Sequence, residues 1–245
     1  MRLHVHEWGS GPEVVLVHGV LLGGREAWRA QRELTQRWTL RAPDRPGHGR
    51  SPDARQDFEP EAALIADQLL DRPAHLAGLS YGAIVAMLAA ARRPANVLSL
   101  TVIEPPATRV VRGDPVVDAW DARLAELLAD PGDDQKLLDR FFALAGVPMA
   151  VPDPVPDPLA RGVAALRDVR HPGEAVLPLA DLAAADFPIL VVTGDHMPEY
   201  EIIGDAIAEA TDAERAQVPG MGHLVPDVGA PFNTRLEAFL KAAGS

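Results

Sequence analysis

The chain has 245 residues, which fits one domain with room for an insertion, and at 47% hydrophobic it can bury a sizeable core. A formal net charge of −12 disfavours nucleic acid and anionic membranes as partners, because both repel an acidic surface. The absence of cysteine excludes disulfides, zinc–thiolate sites and a cysteine nucleophile.

Met1 to His6 carries neither a continuous apolar run nor a small-residue cleavage site, so it does not read as a signal peptide. No apolar stretch reaches the roughly 18 residues that span a bilayer. The expectation is a cytoplasmic protein, monomer or homodimer, without membrane or nucleic-acid partners.

Leu3 to Trp8 alternates and reads as an edge strand, closed by the turn Gly9-Ser10-Gly11-Pro12. Glu13 to His18 is a continuous β-branched run, as expected of a strand buried on both faces. Glu26 to Gln36 reads as a helix, and Trp38 to Ala42 as a short strand ending at Pro43-Asp44. Pro60 to Leu70 reads as a helix with a proline near its first turn. Ala74 to Leu79 is a strand, Tyr81 to Arg92 an Ala-rich helix, and Val97 to Ile103 a strand halted by Pro105-Pro106. The alternation then breaks. Residues 107–186 hold helical segments (Val116 to Leu128, Asp134 to Ala145, Leu159 to Arg167) and a proline cluster over 147–158. It resumes with a strand at Pro188 to Thr193, a helix at Tyr200 to Ala210, a short strand at Arg215 to Val218 and a last helix at Pro231 to Ala242.

Strands alternating with helices predict an α/β fold, a mostly parallel sheet with helices on both faces. The interruption after the fifth parallel-type strand reads as an insertion over the C-terminal edge of the sheet, where ligands bind in open α/β sheets. The expected organisation is a core of residues 1–106 and 187–245 with an inserted helical cap at 107–186.

Gly78-Leu79-Ser80-Tyr81-Gly82 fits G-x-S-x-G and lies where a strand must turn sharply into a helix. Glycines on both sides let strand and helix approach, and the serine is held out at the tip of the turn. Three further features fall in order around it: Val17-His18-Gly19-Val20 at the end of a strand, Asp44-Arg45-Pro46-Gly47-His48-Gly49-Arg50-Ser51 after the next, and Pro219-Gly220-Met221-Gly222-His223 before the last helix.

With these motifs in this order the chain resembles the α/β-hydrolase superfamily over nearly all its length, the inserted segment being least matched. The resemblance implies a sheet of about eight strands. Only one strand is visible before Glu13, so seven is the alternative. A serine hydroxyl is a weak nucleophile at neutral pH and needs a base, for which His223 is the candidate. A tetrahedral intermediate needs backbone N–H donors. By resemblance these are Val20, after His18-Gly19, and Tyr81, after the serine. His18 is expected to be buried beside that loop, and His48 to shape a loop. No histidine pair has metal-ligand spacing with carboxylates, so neither a metal nor another cofactor is expected.

The imidazole also needs an acidic partner. The superfamily usually supplies an Asp three residues past a glycine in the loop after the strand at 188–193, and counting from Gly194 that position is Met197. Two substitutes remain: Glu104, at the end of the preceding strand, favoured here, and Asp195, which could instead accept backbone hydrogen bonds of its loop. Some relatives carry the acid at the earlier strand.

A serine at the elbow points to acyl transfer, most simply hydrolysis of a small to medium apolar carboxylic ester through an acyl-enzyme. The alternatives are a non-hydrolytic enzyme with the same residues (lyase, perhydrolase, cofactor-independent dioxygenase) and a non-catalytic ligand-binding protein on the same scaffold. Leu21, Tyr81, Trp120, Phe141, Phe142 and Met149 are the candidate substrate-lining residues. Each could equally serve ordinary packing between cap and core.

Overall fold

The hydrophobic runs become one seven-stranded sheet in the computed structural model, which describes residues 1–244. The strands are β1 (Val5–Trp8), β2 (Glu13–Val17), β3 (Thr39–Pro43), β4 (Ala74–Leu79), β5 (Val97–Ile103), β6 (Ile189–Thr193) and β7 (Glu214–Gln217). Their order across the sheet is β1-β3-β2-β4-β5-β6-β7. β1 runs antiparallel to β3, with Val5 opposite Pro43, and every other pair is parallel. The interruption therefore follows the fourth parallel strand rather than a fifth, because the first strand runs the other way.

The helices are α1 (Gly24–Ala27), α2 (Phe58–Leu69), α3 (Tyr81–Arg92), α4 (Pro115–Ala129), α5 (Asp134–Ala145), α6 (Asp157–Leu166), α7 (Leu179–Ala183), α8 (Pro198–Thr211) and α9 (Ala230–Ala242). Four of them, α4 to α7, occupy the stretch between β5 and β6, where no strand forms among the described residues. Among the described residues, no helix is long and apolar enough to cross a membrane.

Strand periodicity divides the core. Val15, Val17 and Leu76 face α2 and α3, where they meet Ile65, Leu69 and Ile84. Val14, Leu16, Ala77 and Leu79 face the other way, towards Trp28, Trp38, Phe232 and Leu236. β4 is buried at every position, as a central parallel strand should be. Each fully buried Leu, Ile or Val contributes about 1.5–3 kcal/mol.

Two helix expectations need correction. Glu26 to Gln36 is not one helix. α1 stops at Ala27, Trp28 leaves helical geometry at φ −111° and ψ 24°, and Arg29–Gln36 continues as a 3-10 helix. Trp28 is fully buried in the second core, so seating its indole sets where the backbone bends. The helix read from Pro60 begins earlier, at Phe58. The Asp57 carboxylate caps it by accepting the Glu59 N–H at 3.1 Å, and Pro60 falls inside the first turn, where its missing N–H leaves no bond unmade.

Candidate active site

β2 and β4 lie side by side, and the chain leaves them towards opposite edges of the sheet, β2 to β3 and β4 to β5. The crevice at their C-terminal ends is the switch point of the sheet, where α/β folds bind ligands. Gly19-Val20 follows β2 and Ser80 follows β4, so two of the motifs meet there by topology alone.

Ser80 sits at φ 56° and ψ −126°, a conformation that costs a residue with a side chain about 1–3 kcal/mol. The flanking glycines are required sterically. A Cβ on Gly78 would stand 2.3 Å from the Gly82 carbonyl oxygen, and one on Gly82 would stand 2.3 Å from the His18 carbonyl oxygen. The Ser80 N–H is anchored on the Ile103 carbonyl at 2.8 Å, and its side chain is left pointing at His223.

His223 arrives from the loop between β7 and α9. Gly222 before it has φ +54°, and a Cβ there would stand 2.2 Å from the Gly146 carbonyl oxygen, so the loop lies against the end of α5. The Ser80 hydroxyl donates to His223 Nε2 at 2.9 Å, and His223 Nδ1–H donates to Glu104 Oε2 at 3.0 Å. Glu104 is fully buried, and its second oxygen accepts the Gly194 N–H at 2.6 Å. Both carboxylate oxygens are thus engaged, which a buried anion requires. The structure brings Ser80, His223 and Glu104 together. Asp195 lies apart on an exposed turn, its carboxylate 3.4 Å from the Gln217 amide.

Two aromatic side chains back the imidazole. The Tyr200 ring lies 4.8 Å from that of His223, and His196 stacks on Tyr200 at 5.3 Å with its Nε2 3.7 Å from Glu104 Oε2. Burial, reinforced by the Glu104 and Glu199 charges, keeps the Tyr200 hydroxyl protonated well above its ordinary range. Two sets of side chains hold potential ligand atoms within 4.8 Å of one another: Glu104, His196 and His223, and separately His4, His6 and Asp44. Sequence spacing signalled neither set. Asp44 already accepts the Gly24 and Arg50 N–H groups and contacts His6 Nε2 at 3.1 Å.

The Gly19-Val20 loop is held by a buried polar network. His48 Nε2 lies 2.8 Å and the Gln56 amide nitrogen 3.3 Å from the Val20 carbonyl oxygen. Arg45 donates to the Gly19 carbonyl at 2.7 Å, to Gln56 Oε1 at 2.8 Å and to Glu61 at 2.6 Å, with no part of its side chain exposed. His18 Nε2 accepts the Arg45 N–H and its Nδ1–H donates to the Gly19 carbonyl, both at 2.8 Å, which fixes its tautomer. Burial first, and the neighbouring Arg45 next, push His48 down to about 4. Burial and the facing His48 lower His18 well below its ordinary value. Sequence reasoning placed His18 and His48, quoted Arg45 within its motif without giving it this role, and missed Gln56 and Glu61. Their spacing has no local signature, because the network closes only when α2 packs beside β2 and β3. Among the described residues, the Val20 and Tyr81 N–H groups have no hydrogen-bond acceptor.

Two apolar cavities share Val20, Ser80 and Phe141. The smaller, about 30 Å³, is walled by Tyr81, Trp120, Leu124, Leu144 and Tyr200. The larger, about 350 Å³, is lined by Leu21, Leu22, Phe142, Met149, Leu159 and His223. The candidate lining residues are therefore divided: Tyr81 and Trp120 on the small side, Leu21, Phe142 and Met149 on the large side, and Phe141 on both. Arg29 and Asp227 lie at the larger cavity as an ion pair at 3.2 Å.

A strand–serine–helix elbow on a mostly parallel seven-stranded sheet, with a histidine and a buried acid in hydrogen-bonded series, defines the class. The chain belongs to the alpha/beta hydrolase family, whose model matches residues 14–242. It is 36% identical over 155 residues to a pimeloyl-acyl-carrier protein methyl ester esterase of Chromobacterium violaceum, a match spanning 61% of this chain and 60% of that one. It is 40% identical over 129 residues to lipase LipV of Mycobacterium tuberculosis, spanning 50% of this chain and 48% of that one. These matches cover about 60% or less of each curated relative. Among solved structures, an alpha/beta hydrolase from Sphaerobacter thermophilus superposes with a TM-score of 0.69 at 28% identity, over 97% of this chain and 95% of that one. The N-acyl homoserine lactonase AidH superposes with a TM-score of 0.76 over 99% of this chain and 94% of that one; at 24% identity this likeness concerns the fold alone.

Proposed function

We propose that the protein is a serine hydrolase of small to medium apolar carboxylic esters. The observation that carries this reading is the hydrogen-bonded series from Ser80 Oγ through His223 to buried Glu104, at 2.9 and 3.0 Å. Ser80 Oγ attacks the ester carbonyl carbon as its proton passes to His223 Nε2. Glu104 fixes the imidazole tautomer and stabilises the imidazolium. The oxyanion rests on the Val20 and Tyr81 N–H groups, which no protein acceptor occupies among the described residues. Collapse breaks the ester C–O bond, and the alcohol leaves with the proton from His223. Water then gives a proton to His223 and its oxygen to the acyl carbon, releasing the acid and restoring Ser80.

In this reading the stretch 107–186 serves as a cap that roofs the site, since Trp120, Phe141, Phe142, Met149 and Leu159 all line the cavities around Ser80. The names of the curated relatives, an esterase and a lipase, agree with the same chemistry. The test is hydrolysis of p-nitrophenyl acetate by the wild type, Ser80→Ala and His223→Gln. Turnover in the wild type and a loss of at least about 10³ in kcat in each variant supports the reading. Turnover that survives Ser80→Ala contradicts it.

A further inference from the structure

We propose that the two cavities at Ser80 are an acyl subsite and an alcohol subsite of opposite size, so that the preferred substrates are acetyl-sized esters of bulky apolar alcohols. The assignment rests on the esterase reading and on the geometry of one carbon atom. The tetrahedral carbon carries four substituents: Ser80 Oγ, the oxyanion, the leaving alkoxide and the acyl group. The leaving oxygen must take its proton from His223, and His223 lines the larger cavity but not the smaller. The alcohol therefore occupies the larger cavity. With Oγ fixed on Ser80 and the oxyanion directed at Val20 and Tyr81, the acyl group takes the space that is left. That space is the smaller cavity, beside those same two residues.

The sizes then set the specificity. A cavity of about 30 Å³ exceeds the ~10–15 Å³ that admits one water but falls far short of the ~150 Å³ that admits benzene. It has room for a methyl group and little more. Its walls are pinned. The Trp120 indole N–H donates to the Leu144 carbonyl at 2.9 Å, and its ring meets Tyr200 edge-on at 5.6 Å. The Tyr81 hydroxyl donates to the Arg170 carbonyl at 3.2 Å. These bonds hold Trp120 and Tyr81 in place, and close-packed walls of this kind resist widening to admit a longer chain. The alcohol side, at about 350 Å³, takes a ring or a branched chain, and Met149 on its lining is half exposed.

The experiment compares kcat/KM for benzyl acetate and methyl hexanoate, two esters of unactivated alcohols with their bulk on opposite sides. A second pair, p-nitrophenyl acetate and p-nitrophenyl hexanoate, varies the acyl chain alone. Ser80→Ala is the control throughout. Each misfitted methylene is worth about 10-fold or more, so benzyl acetate should lead methyl hexanoate by at least that factor. Leu124→Ala removes a wall of the small cavity and should raise the hexanoate-to-acetate ratio of the p-nitrophenyl pair by about 10-fold. Ser80-dependent turnover that prefers methyl hexanoate overturns the subsite assignment and leaves the esterase standing. Absence of Ser80-dependent turnover on all four esters overturns both. Should Leu124→Ala fail to fold, the wild-type series decides alone.

Discussion

At Ser80 the backbone, not the hydroxyl, is the demanding part. A left-handed serine between two glycines is tolerable only because neither glycine has a Cβ to collide with the Gly82 and His18 carbonyl oxygens, each 2.3 Å away. Gly82→Ala should therefore cost at least about 1–3 kcal/mol as overpacking against rigid backbone, read from the urea midpoint. A substitution at Gly229, where a Cβ meets nothing within 4 Å, should be felt only through its positive φ. Glu104 makes a second residue-scale prediction. An amide in its place would present an N–H to His223 Nδ1 and favour the tautomer that cannot accept the Ser80 proton. Glu104→Gln should lower kcat by about 10³–10⁴, while Asp195→Asn, whose carboxylate makes no contact with His223, should stay within a few-fold of wild type. Steady-state kinetics on p-nitrophenyl acetate checks both.

At the scale of elements, Ser80 and Glu104 directly follow strands β4 and β5, His223 comes from a loop, and a buried polar network holds the Gly19-Val20 loop. The Gly19-Val20 loop depends on α2 through Glu61 and on the loop after β3 through Arg45, His48 and Gln56. Arg45 and Glu61 form an ion pair with both side chains essentially buried. Removing one partner leaves the other charged and uncompensated, so Arg45→Met should destabilise by about 3–5 kcal/mol. Arg45→Met with Glu61→Leu should recover much of that stability by urea denaturation. It should not restore esterase activity, because Arg45 also holds the Gly19 carbonyl and Gln56. Recovery of both stability and activity would show that the network matters only for folding. The sequence revealed the strand-end motifs because their glycines and prolines are local requirements. It could not reveal this network, in which the bonds that Arg45, His48 and Gln56 make to one another's side chains, to Glu61 and to the His18–Val20 stretch span 11 to 36 positions and form only after packing. Nor could it decide between Glu104 and Asp195. That depends on which strand end faces a histidine 119 residues further along the chain.

For the whole molecule, the buried imidazoles couple stability to pH. His48, pushed down to about 4, is neutral in the folded protein over a range in which it is charged in the unfolded chain. His18 shifts in the same direction. Below an ordinary value of about 6.5 the unfolded chain binds more protons than the folded one, so stability is full above that pH and falls as pH drops towards 4. His48 alone accounts for about 3 kcal/mol of that loss. Urea midpoints at pH 7, 5.5 and 4 should fall in that order, and His48→Gln should flatten the decline. A midpoint independent of pH over this range would contradict the buried-neutral assignment. The order of strands and helices was legible from hydrophobic period and turn residues across nearly the whole chain. The division of Leu21, Trp120, Phe141, Phe142 and Met149 between two cavities was not, because it depends on how α4 to α6 fold back over Ser80. Ser80 is predicted to be an activated nucleophile, and the measurement to make is labelling by a fluorophosphonate followed by peptide mapping. One adduct on the peptide that contains Ser80, formed at wild-type rate in Asp195→Asn and at least about 10²-fold more slowly in Glu104→Gln, is the predicted result. Folded protein that stays unlabelled, or is labelled elsewhere, would contradict it.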